Sequence, residues 1–297
     1  LMKEYLPERM QPTIAYTREA LEQAQRRGEL VTARAIRCGE RHDLIVDLGC
    51  CTGHIPREET AEGIAEGQVR EIAILRCVGQ PVCANVIGWT EEGDCLLSRR
   101  AAQRTAMDWR LRESSPGDIL PAVVTNCTEF GAFCDIGCGV TALLGVRQIC
   151  VSRLRHAAEL LAPGQQIFAA IRTIDPTRRR IFLTQRELLG TWEENAAPFR
   201  AGQTVTGPVR AVKEYGAFIE LTPNLSGLAE NDGTLHVGDG VAVYIRAIVP
   251  ESLKLKLSVL QTLPPQPRPA LRYVQTEGHI RQWRYGNEHF AKCYTIF

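Results

Sequence analysis

The stretch "TEFGAFCDI" at 128–136 recurs as "KEYGAFIEL" at 213–221, a constant 85 positions later. The match extends outward on both sides. "PGDILPAVVTNCTEFGAF" (116–133) aligns with "AGQTVTGPVRAVKEYGAF" (201–218), so that Gly117 answers Gly202 and Val124 answers Val209. Further on, Ile167, Ile171, Ile174, Ile181 and Leu183 fall on Val241, Ile245, Ile248, Leu255 and Leu257. A unit this long exceeds the solenoid repeats and predicts tandem small domains.

A weaker third copy precedes the other two. "RGELVTARAIRCGERHDLIVDLGCCTGHIP" (27–56) carries the same Gly-acid-apolar opening and an Asp-apolar-Gly-Cys phrase seen again at 135–138, and "CLLSRRA" (95–101) parallels "IFLTQRE" (181–187). The 297 residues therefore divide into an N-terminal helical extension (1–26), a divergent bead (27–103), a helical linker (104–115), a second bead (116–188), a second helical linker (189–200), a third bead (201–261) and a Pro-rich linker with a basic-aromatic tail (262–297).

Within each bead the signal is β. Runs such as "TVTGPVRAV" and "VAVYIRAIV" alternate Val and Ile with polar residues between glycine and proline turns. About five short strands in about 70 residues is the content of a five-stranded Greek-key barrel, the OB-fold. The expected class is all-β: three tandem five-stranded OB-fold barrels joined by short helical linkers. In "FGAFCDI" a period of two places Phe130, Ala132 and Cys134 on one face and Gly131, Phe133 and Asp135 on the other. The two aromatics then oppose each other across the strand unless a bulge at the glycine re-aims one, and barrel closure predicts that bulge.

Helices are expected at 17–27, covering an end of the first barrel, within 100–118 before a Ser-Ser-Pro-Gly break, and at 190–199, where Thr191 and Glu194 have capping-box spacing. Trp109 and Trp192 on the two linkers are expected to pack them onto a barrel. In the tail, Arg272, Tyr273, Arg281, Trp283, Arg284, Tyr285, Phe290 and Lys292 alternate basic with aromatic character. That pattern suits a nucleic-acid surface or a hairpin docked on the third bead, and both readings stand.

The chemistry points to binding. There is no phosphate loop, no GxGxxG after a strand, no HExxH and no GxSxG, and the six histidines are scattered without acidic partners at motif spacing. No catalytic residues are assigned and no enzyme is expected. Eleven cysteines include no CxxC pair, which predicts thiols rather than a disulfide framework, no metal site and no cofactor. No apolar run approaches the length of a membrane helix, and "LMKEYLPERM" has no signal-peptide pattern, so the expected setting is cytoplasmic and free of membrane contact. With a net charge of +1, nucleic-acid contact must come from local patches.

Beads two and three supply those patches. Phe130 and Phe133 match Tyr215 and Phe218 as base-stacking platforms. Arg179 and Arg180, beside Arg178, answer Lys254 and Lys256 near the last hairpin. Arg172 and Arg246 share a position on the preceding strand, and Lys213 adjoins the Tyr215 phrase. One aromatic of each pair is the natural candidate for barrel core.

These motifs together, [FY]-G-A-F-x-[DE]-[IL] and then R-I-x-L-[ST], resemble the S-one RNA-binding domain family. The resemblance covers 116–188 and 201–261 closely and 27–103 loosely, and the tandem arrangement is similar to that of the bacterial small-subunit ribosomal protein from which the family takes its name. It implies OB barrels binding single-stranded RNA (mRNA or rRNA) on the face of the FGAF strand, with Phe130, Phe133, Tyr215, Phe218 and the late basic residues as contacts, and the ribosomal small subunit as a partner. A histidine usual in the family is absent: Gly145 stands near its place in bead two and Glu230 in bead three. Bead one has His42 and Asp43 for the aromatic and glycine and Ile45 for the second Phe, and is expected to contact protein instead. Two alternatives remain from the sequence: a protein-interaction scaffold whose barrels have lost RNA binding, or an accessory factor of an RNA-processing enzyme.

Overall fold

Three closed barrels of one topology follow one another along the chain. The computed structural model describes residues 5–230, 233–288 and 293–297. A single helical turn at Glu8–Met10 is followed by α1 (Arg18–Arg27), capped by the Thr17 side chain and closed by Gly28 in the left-handed region at φ 62°. Leu21 and Ala24 of α1 enter the core of the first barrel, so the helix covers it as expected.

That barrel comprises β1 (Leu30–Cys38), β2 (Leu44–Asp47), β3 (Thr52–Ile55), β4 (Pro81–Trp89) and β5 (Cys95–Ser98), with the short α2 (Ile72–Leu75) between β3 and β4. α3 (Arg99–Glu113) leads to β6 (Ile119–Cys127), β7 (Gly131–Asp135), β8 (Thr141–Gly145), α4 (Val146–Ile149), β9 (Gln166–Asp175) and β10 (Arg180–Thr184) of the second barrel. After α5 (Trp192–Ala196), β11 (Thr204–Lys213), β12 (Gly216–Thr222), β13 (Leu225–Ala229), β14 (Gly240–Val249) and β15 (Lys254–Leu263) form the third. In each, the first strand pairs with the second and fourth and the third runs parallel to the fifth, the closed Greek-key arrangement of OB barrels. Each barrel has its own apolar core of inward-facing alternate residues, and each buried Leu or Ile there contributes about 1.5–3 kcal/mol.

The bulge expected at the FGAF glycine lies elsewhere. Pairing slips on the neighbouring first strand, at Thr125 between Val124 and Asn126 and at Arg210 between Val209 and Ala211. The glycines serve a close approach: Gly131 has φ +155° and Gly216 φ +145°, and a Cβ would stand 2.3 Å from the Leu144 carbonyl oxygen or 2.4 Å from that of Ala229. Closure of the barrel brings the third strand so near that only glycine fits.

The linkers and tail are built into the barrels. Trp192 is buried in the third core, as expected of a linker tryptophan. Trp109 packs edge-on against Tyr5 at 5.4 Å, so it holds the N-terminal segment rather than a barrel core. Arg268 of the Pro-rich linker is drawn in against Glu220 of β12, its Nε 2.7 Å from Oε2. In the tail β16 (Gln282–Arg284) pairs with β17 (Tyr294–Ile296), and Trp283 and Tyr285 enter the third core. The tail also reaches back to the second barrel, where Ile119 N donates to Gly278 O at 3.0 Å and Phe168 N to the Tyr273 hydroxyl at 3.2 Å. Of the two readings of this segment, its aromatics follow the docked hairpin; Phe290 and Lys292 lie outside the described residues.

Candidate nucleic-acid interface

Register assembles an outer face on the second barrel. Phe133 on β7 lies opposite Leu143 on β8, which lies opposite Phe182 on β10, and Phe182 opposite Thr173 on β9. Their neighbours Ala132, Cys134, Leu144, Ile181 and Leu183 all point into the core, so the row is the outward half of each pleat.

Phe130 joins this row from just before β7. Its ring meets that of Phe133 edge to face, centroids 5.8 Å apart and planes at 83°. Neither ring belongs to the barrel core: Phe130 is 54% exposed and Phe133 is half-buried on the same side. Period-two alternation is interrupted as expected at the glycine, but by the φ of Gly131 and not by a bulge there. The third barrel repeats the arrangement, with the rings of Tyr215 and Phe218 at 6.2 Å and 88° and Tyr215 68% exposed.

The cations fall into two groups. Arg172 and Arg246 are the extra residues of equivalent bulges on β9 and β14, between Ile171 and Thr173 and between Ile245 and Ala247, which turns both outward. Arg180 shares the outward face of β10 with Phe182, as Lys254 does that of β15 with Lys256. Lys213 is exposed at the end of β11, two residues from Tyr215. Arg179 is not brought into this set. Its backbone is in the left-handed region at φ 51°, and its guanidinium pairs with Asp108 of α3 at 2.6 Å. Arg246 is also engaged, 3.2 Å from Glu230.

Register further shows that barrel three carries Lys256 where barrel two carries Phe182, since Leu228 lies opposite Lys256 as Leu143 does Phe182. In barrel one the same row reads Ile45, His54 and Leu96, with Ile87 in the bulge equivalent to Arg172. No Phe, Tyr, Lys or Arg stands in that row, and His54 is engaged with Asp94 at 3.1 Å.

A groove of about 580 Å³ opens on the face of the second barrel, lined by Phe130, Leu143, Arg147, Gln148, Arg172 and Phe182 among others. Phe182 and Arg147 were missed from the sequence. The alternation of "RIFLT" marks Phe182 as outward, but only the parallel pairing of β8 with β10 brings it beside Leu143.

The acids that close the repeated phrase, Asp135 and Glu220, are not part of this surface. Asp135 is buried and accepts from the amides of Glu8, Gly137 and Gly139 at 2.7, 2.9 and 3.0 Å. Glu8 in turn pairs with Arg99 of α3 and accepts from the Cys83 amide of the first barrel at 3.0 Å. Glu220 is fully buried and paired with Arg268, which also faces Glu159 at 3.6 Å; Glu159 and Arg210 form a further pair. Each acid thus fastens a segment outside its barrel, a role hidden in the sequence because the partners lie 127 and 48 positions away.

Residues 113–186 match the family described as S1 RNA binding domain. Over 252 residues the chain is 31% identical to small ribosomal subunit protein bS1 of Leuconostoc lactis, covering 78% of this chain and 56% of that protein. It is 32% identical over 181 residues to the bS1 protein of Rhizobium meliloti, covering 57% of this chain and 31% of the relative. For bS1 of Staphylococcus aureus the figures are 31% over 190 residues, 59% and 48%. The chain thus spans between about a third and just over half the length of these curated relatives. The middle of three barrels in series thus matches the S1 RNA binding domain, the other two share its strand topology, and the chain as a whole is similar to small ribosomal subunit protein bS1.

Proposed function

We propose that this chain binds single-stranded RNA, mRNA or rRNA, on the outer faces of its second and third barrels, without catalysis and as part of the translation apparatus in the cytoplasm, with the ribosomal small subunit as its partner. The observation that carries this reading is the edge-to-face aromatic pair repeated on the same strand of both barrels, Phe130 with Phe133 and Tyr215 with Phe218. Each pair is solvent-facing on a sheet edged by Arg172, Arg180, Lys213, Lys254 and Lys256. Aromatic rings stack bases at roughly 1–3 kcal/mol each, and cations at the margin hold phosphates, so affinity does not require a large net charge.

The first barrel is read as a protein-contacting module, because Ile45, His54, Leu96 and Ile87 replace that set. Among the described residues no helix is long and apolar enough to cross a membrane.

The test is anisotropy titration of a labelled single strand of about 15 nucleotides, repeated across salt concentrations. Phe133→Ala and Phe218→Ala should each weaken binding severalfold, while His42→Ala and Ile87→Ala should not. Absence of binding at low salt sinks the proposal.

A further inference from the structure

The second and third barrels differ at two positions that together decide whether the RNA face is open or filled. In barrel three the residue after Ala229 is Glu230, whose carboxylate holds Arg246 at 3.2 Å. In barrel two the equivalent residue is Gly145. Nothing in the backbone calls for glycine there: φ is −60° and ψ 144°, ordinary extended values. Nor does packing, since a Cβ would meet only the Gln148 Cγ at 3.7 Å, an ordinary contact. This contrasts with Gly131, where a side chain cannot fit. What Gly145 does is leave space, and the groove of about 580 Å³ occupies that space.

The other difference is Phe182, for which barrel three has Lys256. The groove therefore has an aromatic ring on each flank, Phe130 from β7's entry and Phe182 from β10, over a floor that includes Leu143. Arg147 and Arg172 line it as well. Both are exposed, and neither is held in an ion pair among the described residues.

We propose that this groove is a single-nucleotide subsite: one purine base, unstacked from its strand, enters between Phe130 and Phe182, with its flanking phosphates on Arg147 and Arg172. The inference rests on the RNA-binding reading above and deepens it, because it makes the two barrels unequal. Barrel two captures a base in a pocket, and barrel three offers a flat aromatic pair with a lysine margin. A purine is favoured over a pyrimidine because the flanking side chains are aromatic and the space between them is lined by the aliphatic Leu143, so stacking strength, not hydrogen-bond readout, sets the preference. The groove falls within the size range of pockets that take small organic ligands, about 300–1,000 Å³.

The experiment compares oligo(A) with oligo(U), each about 15 nucleotides, on the full chain by anisotropy. Wild type is expected to bind oligo(A) more tightly. Phe182→Ala should lower oligo(A) affinity about tenfold, the loss of one stacked base, and remove the preference. Gly145→Glu installs barrel three's acid in the open space and should act in the same direction without disturbing the backbone. Phe182→Lys installs barrel three's lysine, should remove the preference, and is a second variant at a surface position should Phe182→Ala fold poorly. Phe218→Ala in barrel three should weaken both strands equally. If Phe182→Ala and Gly145→Glu bind oligo(A) as wild type does while Phe133→Ala is weakened, the subsite is wrong and the RNA reading stands. Equal losses on oligo(A) and oligo(U) overturn the purine assignment. No binding of either strand by wild type overturns both proposals.

Discussion

The Asp135 carboxylate accepts a hydrogen bond from the Glu8 amide at 2.7 Å, joining the second barrel to the segment that precedes the first. Around that contact Glu8 pairs with Arg99, Arg99 donates to the Thr60 carbonyl at 2.9 Å, and Gln103 donates to the Gly139 carbonyl at 2.8 Å. Residues from the N-terminal segment, both barrels and α3 thus meet in one buried polar cluster. Such a network is stabilising only while every member keeps its partner.

That cluster sets a pH dependence. Burial first, and then the nearby Glu8 charge, push the Asp135 carboxyl up to about 7, against the opposing pull of the backbone amides and Arg99. A carboxyl raised in the folded state contributes stability that is fully present below its unfolded value near 4 and is lost as pH rises through about 7. Thermal melts between pH 5 and pH 8 should show the midpoint falling from pH 5 to about pH 7 and levelling off above it. Asp135→Asn, less stable overall because its single oxygen cannot serve both the Glu8 amide and the Gly137 and Gly139 amides, should lack that fall; an identical pH slope in the variant would count against it.

Gly131→Ala should destabilise the second barrel by roughly 2–3 kcal/mol, combining an unfavourable φ with a forced approach to the Leu144 carbonyl. Gly216→Ala should do the same in the third barrel through Ala229. Denaturant titration reads both. The control is Gly145→Ala, which meets no backbone and should change stability by less than about 0.5 kcal/mol.

Trp283→Ala should cost the third barrel about 3 kcal/mol, because the indole is buried with Tyr285 in its core. If the tail were only an RNA-binding arm, the same change would leave the denaturation midpoint where it was and alter RNA affinity alone.

The repeat made the barrels legible, because the same apolar positions recur at the same spacing and only an inward-facing strand residue is so constrained. The aromatic faces were half legible. Phe130, Phe133, Tyr215 and Phe218 stand out in the repeat, but pleat alternation put them on opposite sides, since one glycine in an unusual backbone region reverses the count. The pairing of Arg179 with Asp108 could not be read locally, because Asp108 belongs to a linker helix 71 positions away. Phe182 and the open space at Gly145 depend on a parallel pairing between strands that are not neighbours in sequence, and local pattern carries no trace of that. The tail's alternating basic and aromatic residues were equally compatible with two roles, and only the burial of Trp283 and Tyr285 separates them.

The third barrel can be made a better RNA binder by removing an acid. Arg246 occupies the outward bulge that Arg172 occupies in the second barrel, but Glu230 holds it at 3.2 Å in a solvent-exposed pair. Such a pair contributes at most about 1 kcal/mol, so a phosphate competes for the guanidinium at a modest handicap. Glu230→Gln keeps the shape, frees the guanidinium and removes a negative charge from the phosphate path. Affinity for a single strand at low salt should rise about two- to fivefold. The slope of log affinity against log salt should steepen by up to about 0.7, the equivalent of one added phosphate contact. Arg172→Ala should flatten it by a similar amount, since no acid among the described residues pairs with that side chain. Unchanged affinity and slope in Glu230→Gln, with Arg246→Ala also silent, would place the RNA path away from β14 and confine binding to the second barrel.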